Sequence, residues 1–261
     1  MLPVTEKNKV FLISGSATSP ALDGKSSMFA RTIANDSTEG LVLAQTAVSH
    51  GWKKIGFLQE TSDYALGLYN AFLKNYPDSA GSIVREEYPD TTTDFRSALT
   101  KIRATKPDAL FVDPQSPATA QRILTNLTQL KWSVPLLVNH VISGGADFIM
   151  SNKTILEGAY AAEQSPDLTN AKYLALEANY QKLYGKAMDY KAYDEAQYDL
   201  VYILRDGLKQ FGNDPEKIAA WVRTIKDYDG ASGNLSMSPD GNRVGGHVLK
   251  IIKDGVAIPV Q

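Results

Sequence analysis

Four small hydroxyl side chains crowd the stretch Val10–Pro20, VFLISGSATSP, where Ser14, Ser16, Thr18 and Ser19 follow an apolar run. Hydroxyls and free backbone amides gathered on one loop bind an acid group without carrying a formal charge. The apolar run reads as a strand buried on both faces of a parallel sheet. In open α/β sheets the ligand crevice lies beyond the carboxyl ends of the strands. A plain strand-to-loop turn has the same composition, because Ser, Thr, Gly and Pro form turns in any case.

Other chemistry is thinly supplied. Cysteine is absent, which excludes disulfides, thiol nucleophiles and cysteine-held metals and suits an exported bacterial protein. The three histidines, His50, His140 and His247, stand at no metal-ligand spacing. No G-x-S-x-G, P-loop or G-x-G-x-x-G occurs, and Glu86–Glu87 alternate faces of a strand, as solvated edge charges do. No cofactor, no metal and no catalytic residue is therefore expected. A net charge of −2 with no Lys or Arg run gives no electrostatic case for nucleic acid. No segment reaches the ~20 apolar residues of a membrane span, and Met1–Lys9 holds no apolar stretch of the signal-peptide kind. The chain of 261 residues, 43% hydrophobic and 21% charged, has room for one large α/β domain or two modest lobes.

The elements that must position these groups alternate. Asp36, as N-cap, with Glu39 three residues on resembles a capping box, and Leu41, Ala44, Ala47 and Val48 follow on one helix face until Gly51. Strands are expected at Lys54–Leu58, Ser82–Tyr88, Ala109–Val112, Val134–Val138 and Gly158–Ala162. Helices are expected over 63–76, over 94–105, and after Ser116–Pro117. This is the grammar of βαβ units and a mostly parallel sheet. From Leu168 it changes to helices over 169–184, 193–211 and 215–225 with no strand between them. Turn signals at Ser238–Gly241 and Lys253–Gly255 then separate short antiparallel strands, Val248–Ile252 and Val256–Val260.

The order of motifs resembles the extracytoplasmic solute-binding proteins of the leucine/isoleucine/valine type, which feed ABC importers. The resemblance is carried by Ile13–Pro20, by Phe29–Thr32 followed by Asp36, by Gly51–Gly56 and by Asp63–Gly67. Later matches are Thr93–Phe95, Lys106–Ala109, Tyr198–Asp199 and Ser238–Asn242. It implies the two-lobed type I periplasmic-binding fold, in which mostly parallel sheets are flanked by helices, with a ligand closed between the lobes. Residues 1–35 and 165–226 would form the remnant of an N-terminal lobe, and 36–164 and 227–261 the C-terminal lobe. Family members begin with further β/α units, so the first lobe is expected to be incomplete and the chain truncated. Its helix faces (Leu174, Ala178, Val201, Leu204, Leu208) would be left partly uncovered. At ~25 cal/mol per Å2, a few hundred Å2 so exposed forfeits several kcal/mol and invites a second copy or another cover.

The resemblance places a ligand carboxylate on Ser16, Ala17 and Thr18 and an aromatic wall at Tyr64, with a second aromatic at Tyr193. At Asn139–His140–Val141 the family carries an acid for the ligand's ammonium. Here that position holds His140, which suits an acid, a hydroxyl or an aromatic acid better. Asp113 and Gln115, ending another strand, would supply the missing acceptor, while Ser116 reads as a helix cap. The leading expectation is a periplasmic or otherwise extracytoplasmic binding protein for an amino acid or an aromatic or aliphatic carboxylate, partnered by the membrane subunits of an importer. A ligand-sensing regulatory module of the same fold is the alternative, and an α/β enzyme a weaker one.

Overall fold

Short apolar strands set between amphipathic helices carry the chain through most of its length. In chain order the elements are α1 (Leu2–Lys7), β1 (Leu12–Ser14), β2 (Phe29–Arg31), α2 (Asp36–Ser49), β3 (Lys54–Glu60), α3 (Asp63–Asn75), β4 (Ser82–Tyr88), α4 (Arg96–Ala104), β5 (Ala109–Asp113), α5 (Pro117–Gln129) and β6 (Leu136–Val138). Short helices α6 (His140–Ser143), α7 (Ala146–Ser151) and α8 (Lys153–Leu156) lead to β7 (Tyr160–Gln164). Then follow α9 (Ala171–Tyr184), α10 (Lys191–Phe211), α11 (Pro215–Val222), β8 (Tyr228–Gly230), β9 (Gly233–Met237), β10 (Arg243–Val244), β11 (His247–Lys253) and β12 (Val256–Pro259). This computed structural model describes residues 1–164 and 167–260. Among them no helix is long and apolar enough to cross a membrane.

The chain divides into two compact units, Met1–Asn35 with Gln164–Gly246, and Asp36–Glu163 with His247–Gln261. The second unit is built on one sheet in the order β12-β11-β7-β6-β5-β3-β4. Strands β4, β3, β5, β6 and β7 are parallel neighbours, and β12 closes the far edge antiparallel to β11. Every residue of β5 is buried, as expected of a parallel sheet covered on both faces. One face carries Leu99, Ile102, Ile123 and Leu127 of α4 and α5; the other carries Leu43, Leu68 and Phe72 of α2 and α3. Helices α2 and α3 approach with their backbones nearly touching: a Cβ at Gly40 would stand 2.6 Å from the Phe72 amide nitrogen. Ser62 and Ser116 cap α3 and α5, each accepting through its hydroxyl from the third following amide.

The first unit holds two small sheets, the parallel pair β1-β2 and the antiparallel β10-β9-β8. Its core joins Ala30, Ile203, Ile218, Val222, Leu235 and Met237. Leu174, Ala178, Val201 and Leu208 are exposed as expected, whereas Leu204 packs against this core.

Three expectations require correction. The opening strand has only three residues, all half-buried, because among the described residues β2 alone pairs with it. Residues 227–246 lie with the first unit, not the second, because β8 to β10 pair among themselves. Asp36 opens α2 from inside the helix, not as its N-cap, and is fully buried. The expected lobe boundary at residue 165 lies outside the described residues.

Candidate functional site

Strands β5 and β6 run parallel with Val112 opposite Val138, so Asp113 and Asn139 emerge side by side at their carboxyl ends. That is where an open α/β sheet offers a crevice. The Asn139 side chain donates to Asp113 Oδ1 at 2.9 Å and to the Pro114 carbonyl at 2.7 Å, which fixes the start of α6. His140 follows. Its amide donates to Glu39 Oε1 at 3.1 Å, and its Nδ1 lies 3.0 Å from Glu39 Oε2 and 3.4 Å from the Tyr64 hydroxyl. The Tyr64 and His140 rings meet edge-on at 5.4 Å. Nδ1 serves one of those oxygens at a time: protonated it donates to the Glu39 carboxylate, and bare it accepts from Tyr64. Asp36, Glu39 and His140 bring one donor atom each within 4.8 Å of one another, all three buried. His247 Nδ1 lies 2.7 Å from Thr38 Oγ1, and the Ser143 hydroxyl donates to the buried carboxylate of Glu163.

Burial governs the charge state of these groups. It pushes Glu39 up to about 8 despite the opposing bonds from His140 and Asp36, and Glu163 up to about 7 against the pull of His140. Asp113 is also raised, by burial and by its acidic neighbours Glu39, Asp36 and Glu60. Burial holds His247 down to about 3. Each raised acid binds its proton more tightly folded than unfolded, so stability falls as pH rises from the ordinary 4.5 through the folded value. His247 acts oppositely, adding stability as pH rises towards its ordinary 6.5. Between about pH 4.5 and 6.5 the two tendencies oppose, and above that the loss stands alone. Thermal melts in chelator should therefore show Tm declining from about pH 6.5 to 8, and Glu163→Gln should shallow that decline. A Tm that climbs steadily to pH 8 would contradict this account.

The first unit presents the hydroxyl loop. The Ser14 hydroxyl accepts from the amides of Ser16 at 3.2 Å and Ala17 at 3.0 Å. Those amides are thus engaged, not free as expected, because a serine at a strand end folds its own loop back upon itself. Gly15 lies against α10, where a Cβ would meet the Gln197 amide at 2.9 Å. Arg31, fully buried, grips the far side: NH1 donates to the carbonyls of Ala17 and Ser19, both at 2.9 Å, and Nε to Asn242 Oδ1 at 2.6 Å. Its NH2 pairs with Asp23.

In the second unit the fold thus joins Tyr64 and His140 directly and Asp113 through Asn139. Gln115 is exposed, with its amide on Glu60 Oε2 at 3.0 Å. In the first unit Ser16 is exposed and Thr18 buried on the one loop, and Tyr193 lies half-buried in the first turn of α10, its ring 6.5 Å from that of Tyr190. The family's acid position holds His140 here, and an acid reaches its side from elsewhere in the chain: Glu39, on α2. Asp36 and Glu39 looked like helix-start residues and signalled only that. Their burial, invisible in local spacing, is what gives them to the site.

A family model described as "Periplasmic binding protein" matches residues 1–251. The fold is similar to a leucine binding protein from Thermotoga maritima, at 23% identity and a TM-score of 0.87, covering 100% of this chain and 75% of that one. It is also similar to an ABC transporter solute binding protein from R. palustris in complex with benzoate, at 18% identity and a TM-score of 0.86, covering 100% and 72%. A third is the branched-chain amino acid transporter substrate binding protein of Streptococcus pneumoniae in complex with isoleucine, at 23% and 0.81, covering 99% and 75%. No curated protein sequence matches this chain.

Proposed function

We infer that this chain, which belongs to the periplasmic binding protein family, is an extracytoplasmic receptor that captures a small carboxylate-bearing solute for an ABC importer and leaves it chemically unchanged. The observation that carries the reading is the Tyr64–His140–Glu39 cluster at the carboxyl ends of adjacent parallel strands. An aromatic face, an imidazole and a buried carboxylate together suit a solute with both apolar and charged parts. In the first unit, taken by itself, the Ser16 and Thr18 hydroxyls are donors suited to a carboxylate. Glu39 bears on the class of solute: an acid beside His140 favours an amino acid, whose ammonium would draw it into its charged form, over a simple aromatic acid. The family and the matched structures are binding proteins, and the chain is read as one of them.

A thermal-shift screen in chelator, with aliphatic amino acids set against benzoates, tests the reading. A solute at a hundred times its Kd adds about 2.7 kcal/mol, a rise of several degrees for a chain of this size. The expected result is a shift with an amino acid that is abolished by Tyr64→Ala and by Ser16→Ala with Thr18→Val, and reduced by Glu39→Gln. Turnover of any bound compound, or a shift indifferent to all of these variants, would refute it.

A further inference from the structure

We propose that Asp36, Glu39 and His140 form a binding site for one divalent first-row metal ion, with zinc the best probe. The set joins one imidazole nitrogen and two carboxylate oxygens, donors that suit zinc and its neighbours better than calcium. Asp36 and Glu39 lie one turn apart on α2 and so share a helix face; His140 comes from the first turn of α6. Their donor atoms lie within 4.8 Å of one another, with Glu39 Oε2 and His140 Nδ1 at 3.0 Å. Donors about 2.1 Å from a tetrahedral zinc stand roughly 3.4 Å apart, so modest side-chain movement brings the set to coordination distance.

Two further observations point to a cation. Glu39 is already aimed: the His140 amide holds Oε1 at 3.1 Å, leaving Oε2 towards the imidazole, the outer-shell restraint that metal-binding carboxylates receive. Asp113, also fully buried, lies in the field of both Glu39 and Asp36, and its Oδ2 meets no hydrogen-bond donor among the described residues. Buried carboxylates collected around one imidazole lack positive charge, and a divalent ion supplies it. Three protein donors leave at least one position for water or for an oxygen of a bound carboxylate. The Tyr64 hydroxyl, 3.4 Å from Nδ1, borders that position.

The test is titration of the chelator-stripped full chain with Zn2+ and, separately, with Co2+, with no organic solute present. We expect one ion per chain, a rise in Tm, and the visible absorption of Co2+ in a site of low coordination number. Glu39→Gln and His140→Gln should each weaken Zn2+ binding by more than about 100-fold, beyond the effect of outer-shell changes, while His50→Gln leaves it intact. X-ray absorption of the zinc-loaded wild type needs no variant and should show a single imidazole among oxygen ligands. No saturable binding, loss with His50→Gln, or a zinc shell of two or more imidazoles would overturn the site. The solute screen is run in chelator, so failure of either reading leaves the other standing.

Discussion

Arg31→Met is expected to lower Tm by about 6–12 °C, as about 3 kcal/mol lost from a chain of this size would do. The guanidinium is wholly buried in the first unit and its three nitrogens each hold a different part of the loop or turn around it. A methionine of similar volume fills the space but leaves the carbonyls of Ala17 and Ser19 and Asn242 Oδ1 without their donor. It also strands the Asp23 carboxylate, although partial exposure of Asp23 lets water recover some of that cost and keeps the loss at the low end of the range for buried pairs. The loop so released is the one that carries Ser16 and Thr18, so solute affinity should fall more than tenfold at temperatures where the variant is still folded. Arg31→Lys should rescue little, because an ammonium cannot reproduce the planar fork. Calorimetric titration beside a circular-dichroism melt separates the two effects. A Tm within a degree or two of wild type would show that the loop is held by something else.

Much of the fold was legible because the second unit obeys local rules. Apolar runs such as Ala109–Asp113 and stripes such as Leu68–Phe72 report a two-sided parallel sheet wherever they occur. Ser116–Pro117 marked a helix start by chemistry alone, and the structure has it so. The strands from Tyr228 to Val244 were missed, for a physical reason: they are short and Gly- and Asn-rich, and they are held by one another more than by any periodic apolar face. The site divides in the same way. Asp113 stood out as a strand end, where crevices form, whereas Tyr64 and His140 came forward through the family resemblance. Glu39 could not be found, since its partner His140 lies 101 residues away and only the packing of α2 against the sheet brings them together. Arg31 stood in view as part of a motif, but its role rests on loop carbonyls, which leave no mark in a sequence.

Asp199→Ala should lower stability in thermal melts by about 4 kcal/mol, somewhat more than the loss of Arg31 does, and the ranking of its variants says why. The Asp199 carboxylate is buried within α10 and accepts from the Ala231 amide at 2.6 Å, the Ser232 amide at 3.0 Å and the Ser232 hydroxyl at 2.5 Å. Alanine orphans two buried amides at about 1–3 kcal/mol each. Asparagine keeps an acceptor oxygen for one of them, and forfeits the charge assistance and a second acceptor, so it should cost about half as much. Two neighbours complicate the charge: Glu195, raised to about 8 by burial first and then by nearby acids that include Asp199, and Arg243, which lies in the field of both acids. If amide satisfaction dominates, the order of damage is Ala, then Asn. If the ion field around Arg243 dominates, Asn is as harmful as Ala, and the hydrogen-bond account fails. Gly230→Ala offers a check from the opposite side, since its added Cβ would stand 2.4 Å from Asp199 Oδ2 and push the carboxylate off both amides without removing it.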